Sequence, residues 1–282
     1  MFFSRRWQYG LRAAALIARW LEPPAEDSPV RFVLLSSPRS GSTWTLDLLN
    51  SHPQVVGFSE VFAHDHFGNM PDGGCQDVST WDSYATLKLP SRGRWGRLRL
   101  YFEYLDQHVY ARQPGVSVVG FKLMHAQAQR GIAIPLYLKI RQVSVIHLIR
   151  WNHLDVLLSE EARKIRKYYH ATAGSDVAPV RIQVEPETLE YRLQQRDDSI
   201  RQACAAFRRL GVPYREIVYE DLLQDKSRFS EILEFLSVEP DQQPPSSPLQ
   251  KLNSTDHRQL IDNYAEVASA LQGTRFAELL RG

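Results

Sequence analysis

Residues Leu34 to Asn50 read LLSSPRSGSTWTLDLLN, and the reading of this stretch decides the fold. An apolar strand runs into a polar turn, and a helix with apolar spacing follows. Such a turn suits an anion. It exposes backbone N–H groups, and the helix points its positive end at whatever sits there. The nucleotide-triphosphate form of this turn is G-x-x-x-x-G-K-[ST]. Aligned on Gly41, its first Gly is Ser36 here and its Lys is Ser42, while Thr43 keeps its place. The side-chain charge sits inside the turn, at Arg39. An ordinary strand-to-helix turn capped by Ser42 or Thr43 stays open as the alternative.

Working outward, further strands are predicted over Val55 to Phe58, Val116 to Leu123, Val143 to Arg150 and Tyr214 to Tyr219, besides Arg31 to Ser37. Helices are predicted over Thr43 to Ser51, Arg97 to Arg112, Ile134 to Ile140, Leu154 to Tyr168, Pro186 to the residue before Gly211, Ser227 to Leu236, and Thr255 to Gln272. Strands alternating with helices predict an α/β fold of three layers, a P-loop-like arrangement with a central, mostly parallel sheet flanked by helices. The near-continuous apolar run VSVIHLIR marks an inner parallel strand. Gly68 to Arg94 reads as one long loop, of the kind that often carries function. Trp81, Tyr84 and Trp95 in and beside it would stack on a ligand or pack the loop.

The 282 residues with 43% hydrophobic content are read as one domain over 31–282, preceded by an extension over 1–30. That extension reads as an amphipathic helix with Leu11, Ile17, Trp20 and Leu21 near one face. It is interrupted by Arg12 and Arg19 and is too short to span a bilayer. It would dock on the domain or make a weak peripheral membrane contact through residues 1–21. Ser4, Arg5 and Arg6 start a twin-arginine pattern that the rest does not complete. The charge balance of 34 basic against 32 acidic residues gives no basis for broad nucleic-acid binding. Cys75 and Cys204 have no metal-ligand spacing, so neither a disulfide framework nor a zinc site is expected, and the compartment reads as cytoplasmic.

The segment Pro38 to Trp44 closely resembles the 5′-phosphosulfate loop of the sulfotransferases that use 3′-phosphoadenosine 5′-phosphosulfate (PAPS). Arg39 in place of a lysine resembles their carbohydrate and bacterial branches. The resemblance runs from about Arg31 to Leu280. It implies that Arg39, Ser40, Gly41, Ser42 and Thr43 hold the phosphosulfate and that Trp44 stacks on the adenine. It also implies that Arg150, at the end of a strand, and Ser159, in the helix after it, bind the 3′-phosphate. The planar fork of Arg suits that phosphate. Tyr219 in YREIVYEDLLQD takes the place of a Tyr near the adenine, with core packing as its rival. Glu220 and Asp221 read as helix caps. Lys251, in the segment that resembles the one closing over the nucleotide, is a further phosphate candidate. No metal is implied.

Sulfuryl transfer needs a group to accept the nucleophile's proton and cations to stabilise the leaving oxygen. Glu60 is the candidate base, with His64 and His66 as rivals. Arg39 and then Lys122 are the candidate cations; Lys122 closes an apolar strand at the sheet's carboxyl edge, where ligands bind in open α/β folds. His125 lies close by and would face substrate. The acceptor would be a carbohydrate, a glycolipid or a small hydroxylated metabolite, or an amine, shaped by the 68–95 and 171–185 loops. Two other readings stay open. One is a P-loop kinase or nucleotide hydrolase; the other is a catalytically inactive nucleotide-binding protein.

Overall fold

The computed structural model describes residues 28–63, 78–88, 94–166, 179–249, 253 and 256–281. The expected N-terminal helix lies outside them, as do His64, His66, Cys75 and Lys251. The strands are β1 (Val30–Ser36), β2 (Val55–Phe58), β3 (Val118–Met124), β4 (Ser144–Ile149) and β5 (Tyr214–Val218). The α-helices are α1 (Ser42–Asn50), α2 (Trp81–Lys88), α3 (Arg94–Tyr104), α4 (His125–Ala128), α5 (Ala133–Arg141), α6 (His153–Arg166), α7 (Pro186–Leu210), α8 (Tyr219–Gln224), α9 (Phe229–Phe235), α10 (His257–Leu260) and α11 (Tyr264–Leu271).

All five strands pair in parallel, in the order β2-β3-β1-β4-β5. Every residue of β3 and β4 is buried, as a parallel strand covered on both faces requires. Alternate residues of β1 feed opposite layers. Phe32 and Leu34 pack with Leu46, Leu48 and Leu49 of α1 and with Ile232 and Leu233 of α9. Val33 and Leu35 pack with Phe121, Leu123, Leu100, Phe102 and Tyr137. Burying each such Leu or Phe contributes about 2 kcal/mol. The three-layer α/β architecture expected from the sequence is therefore the one that forms.

Three local expectations are corrected. The loop expected over Gly68 to Arg94 contains α2. Trp81, Tyr84 and Ala85 fall at helical spacing and go into the core, with Trp81 stacked on Tyr101 at 3.8 Å between ring centroids. They pack the protein and offer no platform to a ligand. The strand expected through Tyr219 stops at Val218, and Tyr219 opens α8. The last helix, expected unbroken, is split between α10 and α11. Ile261 is extended, with φ −103° and ψ 123°, and bridges to Ile182. The Asn263 side-chain amide bonds both the N–H and the carbonyl of Val184. These tertiary bonds override a continuous local helix pattern.

After α3 the chain makes a π-helical turn, Leu105–Val109, which carries Asp106. Its carboxylate accepts from Arg31 Nη1 at 2.6 Å, Tyr137 Oη at 2.8 Å and Arg141 Nη2 at 2.9 Å. One carboxylate thus ties β1 to α3 and α5. Burial would push this carboxyl up, but the hydrogen bond from Arg141, the Arg31 charge and the Tyr137 hydroxyl outweigh it and hold it below its ordinary value. Asp106→Asn should destabilise the fold by about 3 kcal/mol, because two arginines lose their buried counter-charge. The contribution of a lowered carboxyl is complete above the unfolded value of about 3.9 and is lost as pH falls through the lower folded value. Urea melts of the two proteins should therefore differ most near neutrality and converge in strong acid. A gap that persists unchanged in acid would show that the charge is not its source.

Candidate functional site

Each strand delivers one candidate group at its carboxyl end, the edge where open parallel sheets bind ligands. Glu60 follows β2, Lys122 lies near the end of β3, the 37–43 turn follows β1, Arg150 follows β4 and Tyr219 follows β5. Sequence order scatters these residues. The β2-β3-β1-β4-β5 order gathers them around the central strand.

The turn itself is held by two residues in the left-handed region, Arg39 at φ 62° and Gly41 at φ 86°. Successive N–H groups in such a turn form a concavity suited to an anion. The non-Gly residue costs about 1–2 kcal/mol there. Gly41 is also the N-cap of α1, and no side chain caps that helix. The ordinary turn capped by Ser42 or Thr43 is thus not what forms. Ser40 is fully buried, with its hydroxyl donating to the Ser37 carbonyl at 2.8 Å, so this side chain shapes the turn from within.

Tyr219 explains why residue 41 has no side chain. A Cβ at Gly41 would lie 2.2 Å from the Tyr219 ring. The same ring meets Trp44 edge-on at 5.8 Å between centroids and carries the Arg150 guanidinium 4.8 Å above its centroid. Tyr219 therefore touches the turn, Trp44 and Arg150 together. Arg150 Nη1 donates to the Arg39 carbonyl at 3.2 Å, and Ser159 Oγ accepts from Arg39 Nε at 2.9 Å. The sequence paired Arg150 with Ser159; here the two converge on Arg39. The Arg150 guanidinium is further held by Asp155 Oδ2 at 2.5 Å, and its buried Nε has no hydrogen-bond partner.

On the other flank, Lys122 is 2% exposed and its Nζ donates to Thr43 Oγ1 at 3.1 Å. It also stands 3.5 Å from Glu60 Oε1, and Gln127 Nε2 donates to Glu60 Oε2 at 2.9 Å. A lysine from β3 thus reaches the loop that lacks one of its own. Glu60 is left partly exposed, with 26% of its side-chain surface open.

His125 does not take the substrate-facing position expected of it. It is 7% exposed, and its Nε2 lies 2.8 Å from His147 Nε2. His147 Nδ1 lies 2.7 Å from Tyr214 Oη, which donates to Glu216 Oε1 at 2.8 Å. Because Tyr214 donates to the carboxylate, His147 donates from Nδ1 and accepts at Nε2 from His125. Burial holds both imidazoles neutral, lowering His125 to about 4 and His147, with help from His125 and Arg208, to about 3. His147, Cys204 and Glu216 bring potential ligand atoms within 4.8 Å of one another. The Tyr214 hydroxyl stands between two of them, and these hydrogen bonds account for the cluster.

Sequence reasoning missed Asp155, Gln127 and the role of Glu220. Glu220 accepts from the N–H groups of Trp151 at 3.3 Å and Asn152 at 2.8 Å. It fixes the turn after Arg150, where a cap on the following helix was expected. Asp155, in the first turn of a helix five residues after Arg150, carried a signal that would have found it. Gln127 carried none. No helix among the described residues is long and apolar enough to cross a membrane.

No family model matches the chain. No curated protein matches it either. Among solved structures, a sulfotransferase from Alicyclobacillus acidocaldarius is similar at 16% identity and TM-score 0.42, covering 90% of this chain and 96% of its own. The sulfotransferase domain from the curacin biosynthetic pathway is similar at 16% identity and TM-score 0.43, with 78% of each chain covered. A mouse sulfotransferase complexed with PAP is similar at 11% identity and TM-score 0.39, covering 94% of this chain and 91% of its own. These are distant likenesses, and the fold and the site stand on the geometry described above.

Proposed function

We propose that this chain is a sulfotransferase that moves a sulfuryl group from PAPS to a hydroxyl, or an amine, of a carbohydrate, glycolipid or small metabolite. The reading rests on one juxtaposition. The Arg39–Thr43 turn is met on one side by Arg150 and Ser159 and on the other by Lys122 with Glu60 beside it.

The residues fit the donor. The left-handed turn suits its 5′ end, and the buried, partnerless Nε of Arg150 suits a second anion at the 3′ position. Arg39, Ser40, Gly41, Ser42 and Thr43 would hold the first group, with Lys122 beside it, and Arg150 and Ser159 the second. Trp44 would stack on the adenine with Tyr219 near it, and Lys251 would be a further phosphate contact. Bound there, PAPS supplies an activated sulfuryl group on a phosphate leaving group. Glu60 takes the acceptor's proton, and Gln127 holds that carboxylate in place. Lys122 and Arg39 offset negative charge at the turn without a metal. Two cysteines with no disulfide or ligand spacing suit a reducing compartment, so the proposed location is the cytoplasm.

Calorimetry tests the reading. The protein should bind 3′-phosphoadenosine 5′-phosphate (PAP) far more tightly than AMP. Arg150→Ala should weaken PAP binding by about 1.5–3 kcal/mol and leave AMP binding nearly unchanged. Equal affinity of the native protein for the two nucleotides would overturn the proposal.

A further inference from the structure

The C-terminal segment reaches back to the anion site through one buried residue. His257 opens α10, its side chain is fully buried, and its Nε2 bonds Asp155 Oδ1 at 2.7 Å. The other oxygen of the same carboxylate, Oδ2, holds Arg150 Nη2. The Asp155 N–H is itself fixed by Asn152 Oδ1 at 3.0 Å, so the carboxylate rides on the first turn of α6.

A guanidinium beside a free carboxylate pairs with both oxygens through two parallel bonds. Here the second oxygen is taken. Arg150 therefore bonds Asp155 through Nη2, while its buried Nε is left with no partner. Because His257 is sealed from solvent, no water can replace it at Oδ1 without rearrangement. The C-terminal segment carrying it is well anchored. Leu260 and Ile261 pack with Leu154, Leu157 and Leu158 of α6, and Ile182 and the Leu260 carbonyl are joined by a 2.8 Å hydrogen bond.

We infer that His257 is a positioning residue for 3′-phosphate recognition. By occupying one oxygen of Asp155, it keeps Arg150 from closing into a forked pair and leaves the Nε donor for a phosphate. It acts through Asp155 and Arg150 and touches no substrate. The inference rests on the proposed use of a 3′-phosphorylated nucleotide.

The readout is the ratio of AMP to PAP dissociation constants, measured by calorimetry on the full chain. His257→Gln places an amide donor near the position of Nε2 and should keep that ratio. His257→Asn is polar but too short to reach Oδ1, and it should lower the ratio roughly tenfold, the worth of about one charged hydrogen bond. A residue that only supports the fold would weaken both nucleotides alike in either variant. The inference is overturned if Asn and Gln leave the same ratio, or if both lower it equally. His257→Leu supplies a third arm and should behave like Asn; a native ratio in a folded Leu variant would also overturn the inference. A native protein that does not distinguish PAP from AMP removes the parent reading and this one with it. A native protein that does, with Asn and Gln alike, removes this one alone.

Discussion

Glu60→Gln should reduce sulfuryl transfer by about 10²–10⁴-fold, the usual contribution of a positioned general base, while PAP binding stays within about twofold of native. The substitution keeps the shape of the side chain, and an amide oxygen still accepts from Gln127 Nε2, which now bonds Glu60 Oε2 at 2.9 Å. What it removes is the basic oxygen. It also removes the counter-charge 3.5 Å from Lys122, a buried cation that would keep Thr43 as its other described partner. Two measurements separate these effects. Lys122→Met removes the cation and keeps the carboxylate; under the proposed roles it should weaken PAP binding as well as turnover. Glu60→Ala leaves space for a small carboxylate, so added formate should recover part of the transfer rate if the carboxylate is the base. Retention of more than a tenth of native turnover in Glu60→Gln would move the base to His64 or His66.

Gly41→Ala should damage both the fold and the anion site. Residue 41 sits at φ 86°, where an alanine costs about 1–2 kcal/mol. The added Cβ would also lie 2.2 Å from the Tyr219 ring, and that ring is hemmed in by Trp44 and by the Arg150 guanidinium. Overpacking of this kind adds about 1–3 kcal/mol. The expected total is a loss of about 2–5 kcal/mol in a urea melt. Relief of the clash must move Tyr219, whose ring also carries Arg150, so both halves of the anion site should fail together. PAP binding should fall below detection even at temperatures where the variant stays folded. Adding Tyr219→Ala to Gly41→Ala removes the collision and leaves the backbone cost. The double variant should therefore be more stable than the sum of the two single effects. Strict additivity would mean that the ring is not the obstacle.

The sequence made the site's parts legible wherever the signal is local. The apolar strand, the Gly at a forced turn and the helix spacing all lie within Leu34 to Asn50, so the turn could be read from neighbours alone. Arg150, Ser159 and Tyr219 were singled out by the resemblance to the sulfotransferases, which a local pattern alone does not supply. Trp81 and Tyr84 were obscured because the surrounding Gly, Asp, Ser and Pro dilute an eight-residue helix. The break at Ile261 was hidden because the pattern on either side is helical, and only pairing with Ile182 makes extended backbone favourable there.

By itself the sequence determined the order of strands and helices along the chain, the polar turn after the first strand and the kinds of groups available. Each of these depends on the conformational preferences of residues a few positions apart. The tertiary structure alone decided which groups meet. Lys122 reaches Thr43 across 79 residues, and His257 reaches Asp155 across 102. No periodicity encodes those meetings. They follow from the parallel sheet, which sets every strand's carboxyl end on one edge, and from a C-terminal segment whose apolar residues had to be buried against α6.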